Sequence, residues 1–163
     1  MDIYVKKRKN IIEIKHQSLF VLIVNWKSYL CSMKTFEELG VSDELLLAIS
    51  EMGFEMPMPV QAKVIPHLLK EDNDVVALAQ TGTGKTAAFL TAIIDDLLKN
   101  PIPEKRYAGE ARALIIAPTR ELVIQIAEDA KGLCKYTDLK IHTLVGGMDY
   151  VKQQRHLHDD LVD

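Results

Sequence analysis

Cysteine is scarce in this chain, and its two cysteines do not form a recognisable pair. Cys31 and Cys134 lie far apart, and no Cys-x-x-Cys or mixed Cys/His cluster occurs among the 163 residues. This content argues against a disulfide framework and against a structural zinc site. We therefore expect a protein of the reducing cytoplasm.

Long apolar runs are also missing, although 48% of the residues are hydrophobic. The run LFVLIV, residues 19–24, is far shorter than the ~20 residues that cross a bilayer. Basic residues precede it, as they do in a signal peptide, but no convincing small-residue cleavage site follows. The composition predicts a globular domain without a membrane partner.

Positive charge is in short supply outside the N-terminus. The net charge is −3, yet the first 32 residues carry six Lys or Arg against two carboxylates, a net of +4. The remaining residues therefore carry −7. A net negative charge on residues 33–163 argues against nucleic-acid binding through a large basic surface. It permits binding through backbone N–H groups and a few specifically placed side chains.

A regular pattern begins near residue 34, and we interpret residues 1–33 as an extension that could come from an upstream start codon. Helix-like and strand-like segments alternate from there onward. The predicted helices are residues 42–52, 59–70, about 85–99 and 120–134, and the predicted strands are residues 75–80, 113–118 and 140–147. Continuous apolar strands that alternate with helices predict an α/β fold with a parallel sheet.

The stretch TGTGKT, residues 81–86, stands between a predicted strand and a predicted helix. Gly82 and Gly84 let the backbone curl so that successive N–H groups point at phosphate oxygens. In such a loop Lys85 reaches the β- and γ-phosphates, and the Thr86 hydroxyl binds Mg²⁺. The alternative is a glycine-rich turn without a ligand. Ala79 occupies the position where the general phosphate-loop pattern has glycine.

Four stretches in register resemble the DEAD-box RNA helicases. AQTGTGKT resembles their first ATPase motif, in which Ala commonly holds the position of Ala79. GFEMPMPVQ (residues 53–61) resembles their Q motif, PTREL (118–122) their next motif, and VGG (145–147) their glycine doublet. The resemblance implies an incomplete P-loop NTPase (RecA-like) fold, a parallel sheet flanked by helices. It also implies a Q-motif region at residues 34–62 and a partial ATP-binding domain at residues 63–163.

The same resemblance implies which residues bind ligands. It makes ATP and Mg²⁺ the cofactors, RNA the partner, Lys85 and Thr86 the catalytic residues of this chain, and Thr86 the Mg²⁺ ligand. The nucleotide-binding residues it implies are Phe36, Phe54, Gln61, Ala79, Gln80, Thr81, Gly82, Thr83, Gly84, Lys85 and Thr86. The RNA-binding residues it implies are Pro118, Thr119, Arg120, Glu121, Leu122, Gly146 and Gly147.

Simpler interpretations stay open for some of these residues. Gln61 could be an exposed polar residue on a helix, Thr119 only a helix cap, and Gly146 part of a plain turn. Met58 stands where the family usually has Thr, so a hydroxyl that helps to tie the Q motif to the P-loop is missing. Val123 replaces a smaller Ala of the family pattern.

The carboxylates that give the family its name do not occur in this chain. No Asp-Glu-Ala-Asp stretch is present, and AEDA (residues 127–130) lies inside a predicted helix. The five histidines show no metal-ligand spacing. The resemblance to DEAD-box RNA helicases nevertheless implies an ATP-dependent RNA helicase as the parent function. An inactive fragment is the alternative for these residues, and another P-loop kinase is less favoured. We also expect strand 75–80 to lack both of its neighbours.

Overall fold

The computed structural model describes residues 2–5, 11–13, 34–70, 74–101, 110–147, 149–159 and 162–163. The described strands are β1 (Asp2–Val5), β2 (Ile11–Glu13), β3 (Val75–Leu78) and β4 (Leu114–Ile116). The described helices are α1 (Asp43–Glu51), α2 (Pro59–Lys70), α3 (Lys85–Lys99), α4 (Arg120–Leu133) and α5 (Tyr150–Asp159). The predicted helices are therefore confirmed to within one residue at each end.

Local signals explain where these helices begin and end. Thr119 caps α4, because its hydroxyl accepts a hydrogen bond from the Leu122 N–H at 3.3 Å. Gly53 follows α1 with a φ of 80°, the left-handed conformation that commonly terminates a helix. Apolar residues recur at helical spacing along α3, and the face that they form, which includes Phe89, is buried in the core.

The strand pairing corrects the expectation that strand 75–80 lacks both neighbours. β1 pairs with β3 in antiparallel register, with Asp2 opposite Leu78 and Val5 opposite Val75. β2 pairs with β4 in parallel register, with Ile11 opposite Leu114. An open strand edge presents unpaired N–H and C=O groups, and the N-terminal residues supply partners for one edge of each strand. One of the two pairings is thus antiparallel in a sheet that we predicted to be parallel.

The predicted strand at residues 140–147 does not form a strand. Instead, the backbone of Asp163 connects this segment to the start of β4. The Asp163 N–H donates to Lys140 O at 2.9 Å, and the Asp163 carbonyl accepts from Ala113 N at 2.8 Å. A cavity of about 370 Å³ is lined by residues 113–117, by residues 139–144 and by the apolar faces of α3 and α4. Both β4 and residues 141–144 border this cavity, and the two segments form no ladder with each other.

The hydrophobic core is made by the helices and the segment before α1. The most deeply buried large apolar side chains are Leu39, Leu45, Ile65, Phe89, Leu90 and Leu133. In contrast, Val76, Leu114 and Ile116 on β3 and β4 are about half exposed. No helix in the described part of the chain has both the length and the apolar character needed to cross a membrane.

A buried carboxylate fastens the segment before α1 to α3. Asp95 is 0% exposed, and its Oδ1 accepts hydrogen bonds from the Ser42 N–H at 2.8 Å and the Ser42 hydroxyl at 2.7 Å. Its Oδ2 lies 2.5 Å from Lys99 Nζ, which also donates to the Gly40 carbonyl. Ser42 stands at the N-cap of α1, but its hydroxyl donates to Asp95 instead of capping the helix.

Candidate functional site

The loop TGTGKT joins the end of β3 to the start of α3. Gly82 and Gly84 have φ values of 79° and 78°, in a left-handed region that side-chain-bearing residues rarely enter. Gly84 is the N-cap residue of α3, and among the described residues no side chain caps this helix. The start of α3 therefore has the features of an anion site: N–H groups without a side-chain cap and the positive end of a helix dipole.

Lys85 is folded back onto the loop that precedes it. Its ammonium donates to the carbonyl oxygens of Ala79 and Gln80, and the residue is 6% exposed. The Thr83 hydroxyl donates to the same Gln80 carbonyl at 2.8 Å. The loop is thus closed around its own cation, and a phosphate has to replace these carbonyls to bind the Lys85 ammonium.

The described residues do not complete a metal site beside this loop. Thr86 is partly buried at the start of α3. Among the described residues there is no group of three or more His, Cys, Asp or Glu side chains that could hold a metal ion. Phosphate-bound Mg²⁺ in proteins is usually held by one or two carboxylates in addition to the phosphates. The Thr86 hydroxyl can therefore supply one ligand, and other groups have to supply the rest.

Gln61 is a buried link between the predicted Q motif and the P-loop. It is 0% exposed on the first turn of α2, so the interpretation as an exposed polar residue is wrong. Its Oε1 accepts from Met58 N at 2.7 Å, and its Nε2 donates to the Gly84 carbonyl at 3.2 Å. A Cβ added to Gly84 would lie 2.5 Å from this Nε2. Glycine is therefore required at Gly84 by both its φ and this contact.

The two aromatic residues of the predicted nucleotide site are packing residues in this structure. Phe36 is 6% exposed and belongs to the core, and Phe54 is partly buried against the same core. Met58 has no side-chain hydroxyl, and its backbone N–H donates to Gln61 Oε1. The Q-motif segment is therefore tied to the P-loop through the amide of Gln61.

The predicted RNA-binding residues come from the start of α4 and from the turn before α5. Gly147 has a φ of 81°, and a Cβ added there would lie 3.1 Å from Arg120 Nη1. The PTREL segment and the glycine doublet thus lie side by side, although they are distant in sequence. The exposed members of the set are Pro118, Thr119, Arg120, Glu121, Gly146 and Gly147, and Leu122 is partly buried.

Sequence reasoning missed two polar side chains that join separate parts of the fold, Gln153 and Asp95. Gln153 on α5 bonds to Val145 in both directions: Oε1 accepts from Val145 N at 2.9 Å, and Nε2 donates to Val145 O at 3.2 Å. The other is Asp95, whose spacing from buried Ala88 and Thr91 on α3 offered a signal of burial. No local pattern marks Gln153, because its partner Val145 lies eight residues earlier, before the start of α5.

An exposed cluster joins the ends of α1 and α4. The Tyr136 hydroxyl donates to Glu51 Oε2 at 2.8 Å, and the Lys135 ammonium pairs with Glu51 Oε1. The hydrogen bond from Lys135 lowers the pKa of Glu51 below its ordinary value, and the bond to Glu51 raises the pKa of Lys135. This cluster links the last residue of α1 to the residues that follow α4.

Known proteins resemble this chain along most of its length. A family model described as DEAD/DEAH box helicase matches residues 58–163. The chain is 54% identical over 122 residues to the ATP-dependent RNA helicase RhlB of Pseudomonas syringae pv. tomato, and 52% identical over 128 residues to RhlB of Pseudomonas aeruginosa. These matches cover 75% and 78% of this chain but only 30% and 32% of the relatives. The chain thus spans about 30% of the curated relatives that it matches.

Solved structures lead to the same family. A DEAD box protein from Methanococcus jannaschii matches with a TM-score of 0.68 at 37% identity, over 80% of this chain and 34% of that one. The RNA helicase Prp28 from Chaetomium thermophilum, bound to ADP, matches with a TM-score of 0.62 at 32% identity, over 77% of this chain and 30% of Prp28. The fold class is confirmed as an incomplete α/β RecA-like P-loop domain. The chain belongs to the DEAD/DEAH box helicase family.

Proposed function

We propose that this chain is part of an ATP-dependent RNA helicase of the DEAD-box type, which unwinds or remodels RNA duplexes. The observation that carries the proposal is the P-loop, with Gly84 in a left-handed conformation and Lys85 at the start of α3. It occurs in a chain that is 54% identical to a protein named an ATP-dependent RNA helicase. The similarity to Prp28, whose structure is bound to ADP, also supports nucleotide binding by this chain.

The phosphates of ATP bind, in this proposal, at the start of α3. Lys85 gives up the carbonyls of Ala79 and Gln80 and donates to the β- and γ-phosphates. The Thr86 hydroxyl is one ligand of Mg²⁺, which neutralises charge on the phosphates during phosphoryl transfer. The exposed residues Gln80, Thr81 and Gly82 form the entrance of the loop.

Gln61 selects adenine in this proposal. A side-chain amide has two N–H groups and two acceptor lone pairs, and the structure uses one N–H and one lone pair. The remaining N–H and lone pair match the N7 acceptor and N6 donor of adenine. Because Gln61 is fully buried, contact with a base requires local opening between Met58 and Gly84. Phe54 then lies beside the base, with Phe36 packed in support.

RNA binds, in this proposal, to the PTREL segment and the glycine doublet. Backbone N–H groups and the Thr119 hydroxyl donate to phosphates, while Arg120 holds the two segments together through its position beside Gly147. Such contacts position an RNA strand without reading its sequence. Gly147→Val should therefore weaken RNA binding and leave nucleotide binding nearly intact, whereas an equal loss of both would indicate misfolding.

The 163 residues alone are, in this proposal, inactive as an enzyme. The sequence contains no Asp-Glu-Ala-Asp stretch, and the described residues hold no carboxylate group suited to a metal. Phosphoryl transfer requires a held metal, a positioned water and neutralised charge. We therefore expect nucleotide binding without release of phosphate. The compartment is the reducing cytoplasm, in keeping with the buried, unpaired thiol of Cys134.

Nucleotide binding tests the proposed function directly. Titration with a fluorescent ADP analogue should give a saturable signal for the whole chain, and Lys85→Ala should abolish it because it removes the charge that meets the phosphates. Lys131→Ala, on an exposed part of α4, is the matched control and should bind as the unaltered chain does. Competition should favour ATP over GTP, and Gln61→Ala should erode this preference. Equal affinity of Lys85→Ala and the unaltered chain would refute the assignment.

A further inference from the structure

The turn that carries the glycine doublet is closed by one side chain from α5. Gln153 makes two hydrogen bonds to Val145, one to its N–H at 2.9 Å and one to its C=O at 3.2 Å. Val145 directly precedes Gly146, so the two bonds close a loop that contains the whole doublet. A glutamine amide that binds both groups of one residue satisfies the donor and the acceptor that a neighbouring strand would otherwise pair, and none of the described strands pairs with residues 140–147.

The start of α5 fixes the position of Gln153 itself. The Asp149 carboxylate accepts from Val151 N at 3.0 Å, and the Asp149 carbonyl accepts from Gln153 N at 3.2 Å. These bonds set the first turn of α5 directly after the doublet. The Gln153 side chain is partly buried, so its amide is held toward Val145 and not toward solvent.

The far side of the turn meets the PTREL segment. A Cβ on Gly147 would lie 3.1 Å from Arg120 Nη1, so a side chain at this position would require Arg120 to shift. Both glycines are exposed, and the doublet contributes no side chain of its own to hold its place. The position of the doublet relative to Arg120 therefore depends on the anchor at Val145.

We propose that Gln153 is a positioning residue for RNA: by holding Val145 it keeps the backbone of Gly146 and Gly147 beside Arg120, where both segments meet one RNA strand. This role rests on the proposed function, since it concerns the same RNA-binding surface. Gln153 itself does not contact RNA. Loss of its two bonds frees the turn, so RNA affinity falls while the P-loop is unchanged.

Two substitutions of Gln153 by side chains of similar size distinguish the contributions of its two hydrogen bonds to Val145. Gln153→Glu keeps the acceptor for Val145 N–H and loses the donor to Val145 C=O, whereas Gln153→Met loses both. The neighbouring Gln154 is exposed on the same helix and offers matched controls. Gln154→Glu introduces the same negative charge one residue away, and Gln154→Met introduces the same apolar side chain.

The affinity of the whole chain for a fluorescein-labelled ten-nucleotide oligouridylate is measured by fluorescence anisotropy at low salt. We expect Gln153→Met to bind about five- to tenfold more weakly, as for one or two lost hydrogen bonds, and Gln154→Met to bind as the unaltered chain does. Gln153→Glu should bind more weakly than Gln154→Glu. The affinity for a fluorescent ADP analogue should stay the same in all four variants, which a general loss of folding would not allow.

Amide hydrogen exchange gives a second readout that does not depend on RNA. The Val145 N–H should exchange faster in Gln153→Met and at the normal rate in Gln154→Met. RNA affinity of Gln153→Met equal to that of the unaltered chain would overturn the positioning role, as would a parallel loss of ADP affinity. If the unaltered chain binds ADP but no oligouridylate, the proposed RNA surface fails, and the role of Gln153 in RNA binding fails with it.

Discussion

Removal of the N-terminal residues tests whether β1 and β2 stabilise the rest of the chain. Residues 33–163 contain β3 and β4 without the partners that the whole chain provides. We expect the whole chain to unfold cooperatively in urea, and residues 33–163 to unfold at a much lower urea concentration and without a sharp thermal transition. The reason is that one edge of β3 and one edge of β4 lose their hydrogen-bond partners.

The size of this effect follows from the two ladders. Four residue pairs join β1 to β3, and three join β2 to β4. At about one hydrogen bond per pair and ~1 kcal/mol net per bond, the ladders supply at most about 7 kcal/mol. Ordering the backbone of the two N-terminal strands costs ~1–2 kcal/mol per residue, which offsets most of that gain, so contacts of the strands with the rest of the chain have to supply the balance. We expect a net loss of about 1–3 kcal/mol, a measurable share of the ~5–15 kcal/mol that stabilises a typical domain.

Far-UV circular dichroism during urea titration measures this difference. A matched control keeps the length of the chain but replaces residues 2–13 with a Gly/Ser repeat, which cannot form the two strands. It should behave like residues 33–163. In hydrogen exchange, the amides of β3 should lose protection in both shortened and replaced chains. Equal urea midpoints for the whole chain and residues 33–163 would refute the stabilising role of β1 and β2.

Three side-chain contacts carry further predictions. Asp95→Ala should lower the free energy of unfolding by about 3–5 kcal/mol, because it leaves the Ser42 N–H and hydroxyl without their buried acceptor; a loss below about 1 kcal/mol in urea unfolding would contradict this. Glu51→Gln should lower the melting temperature at neutral pH. Since Lys135 lowers the pKa of Glu51, the contribution of Glu51 is present above the ordinary carboxyl pKa of 4.5 and is lost as the pH falls through the lower folded-state value. The two melting temperatures should therefore converge in acid, and a constant difference would count against the pair. Gly84→Ala should abolish binding of a fluorescent ADP analogue, because of the positive φ and the 2.5 Å approach to a buried amide; undiminished binding would show that the loop tolerates a side chain.

Local sequence signals predicted the helices well because each signal acts within a few residues. The Thr119 cap was predicted and is confirmed, and the left-handed Gly53 and the apolar face of α3 likewise depend on near neighbours in the sequence. The strand pairing was predicted less well. Neighbours in a sheet are chosen over long distances in sequence, so no local pattern indicated that β1 would pair with β3 or that residues 140–147 would pair with no strand.

The candidate site was predicted in its parts but not in its connections. The P-loop joins a strand to a helix and the PTREL segment begins a helix, as the motifs indicated, whereas the binding roles of these residues stay predictions. The inward direction of Gln61 was not predicted, because an amide on the first turn of a helix is equally compatible with solvent. The same holds for Gln153 and Asp95, whose partners lie on other elements and become visible only once the chain has folded.

The contacts of Gly84 explain how phosphate and base recognition are coupled in the proposed site. Its carbonyl accepts from Gln61, and the next residue, Lys85, donates to the carbonyls of Ala79 and Gln80. A phosphate oxygen is charged and therefore a stronger acceptor than a neutral carbonyl, so the Lys85 ammonium is expected to exchange its partners when ATP arrives. The Gln80 carbonyl keeps the Thr83 hydroxyl as a donor during this exchange. If the loop opens to admit the phosphate, a movement at Gly84 breaks or shifts its hydrogen bond with the Gln61 amide, which the proposed function assigns to adenine. Under that proposal, we expect phosphate binding to favour the opening that base recognition requires, so that the two parts of the nucleotide are recognised together.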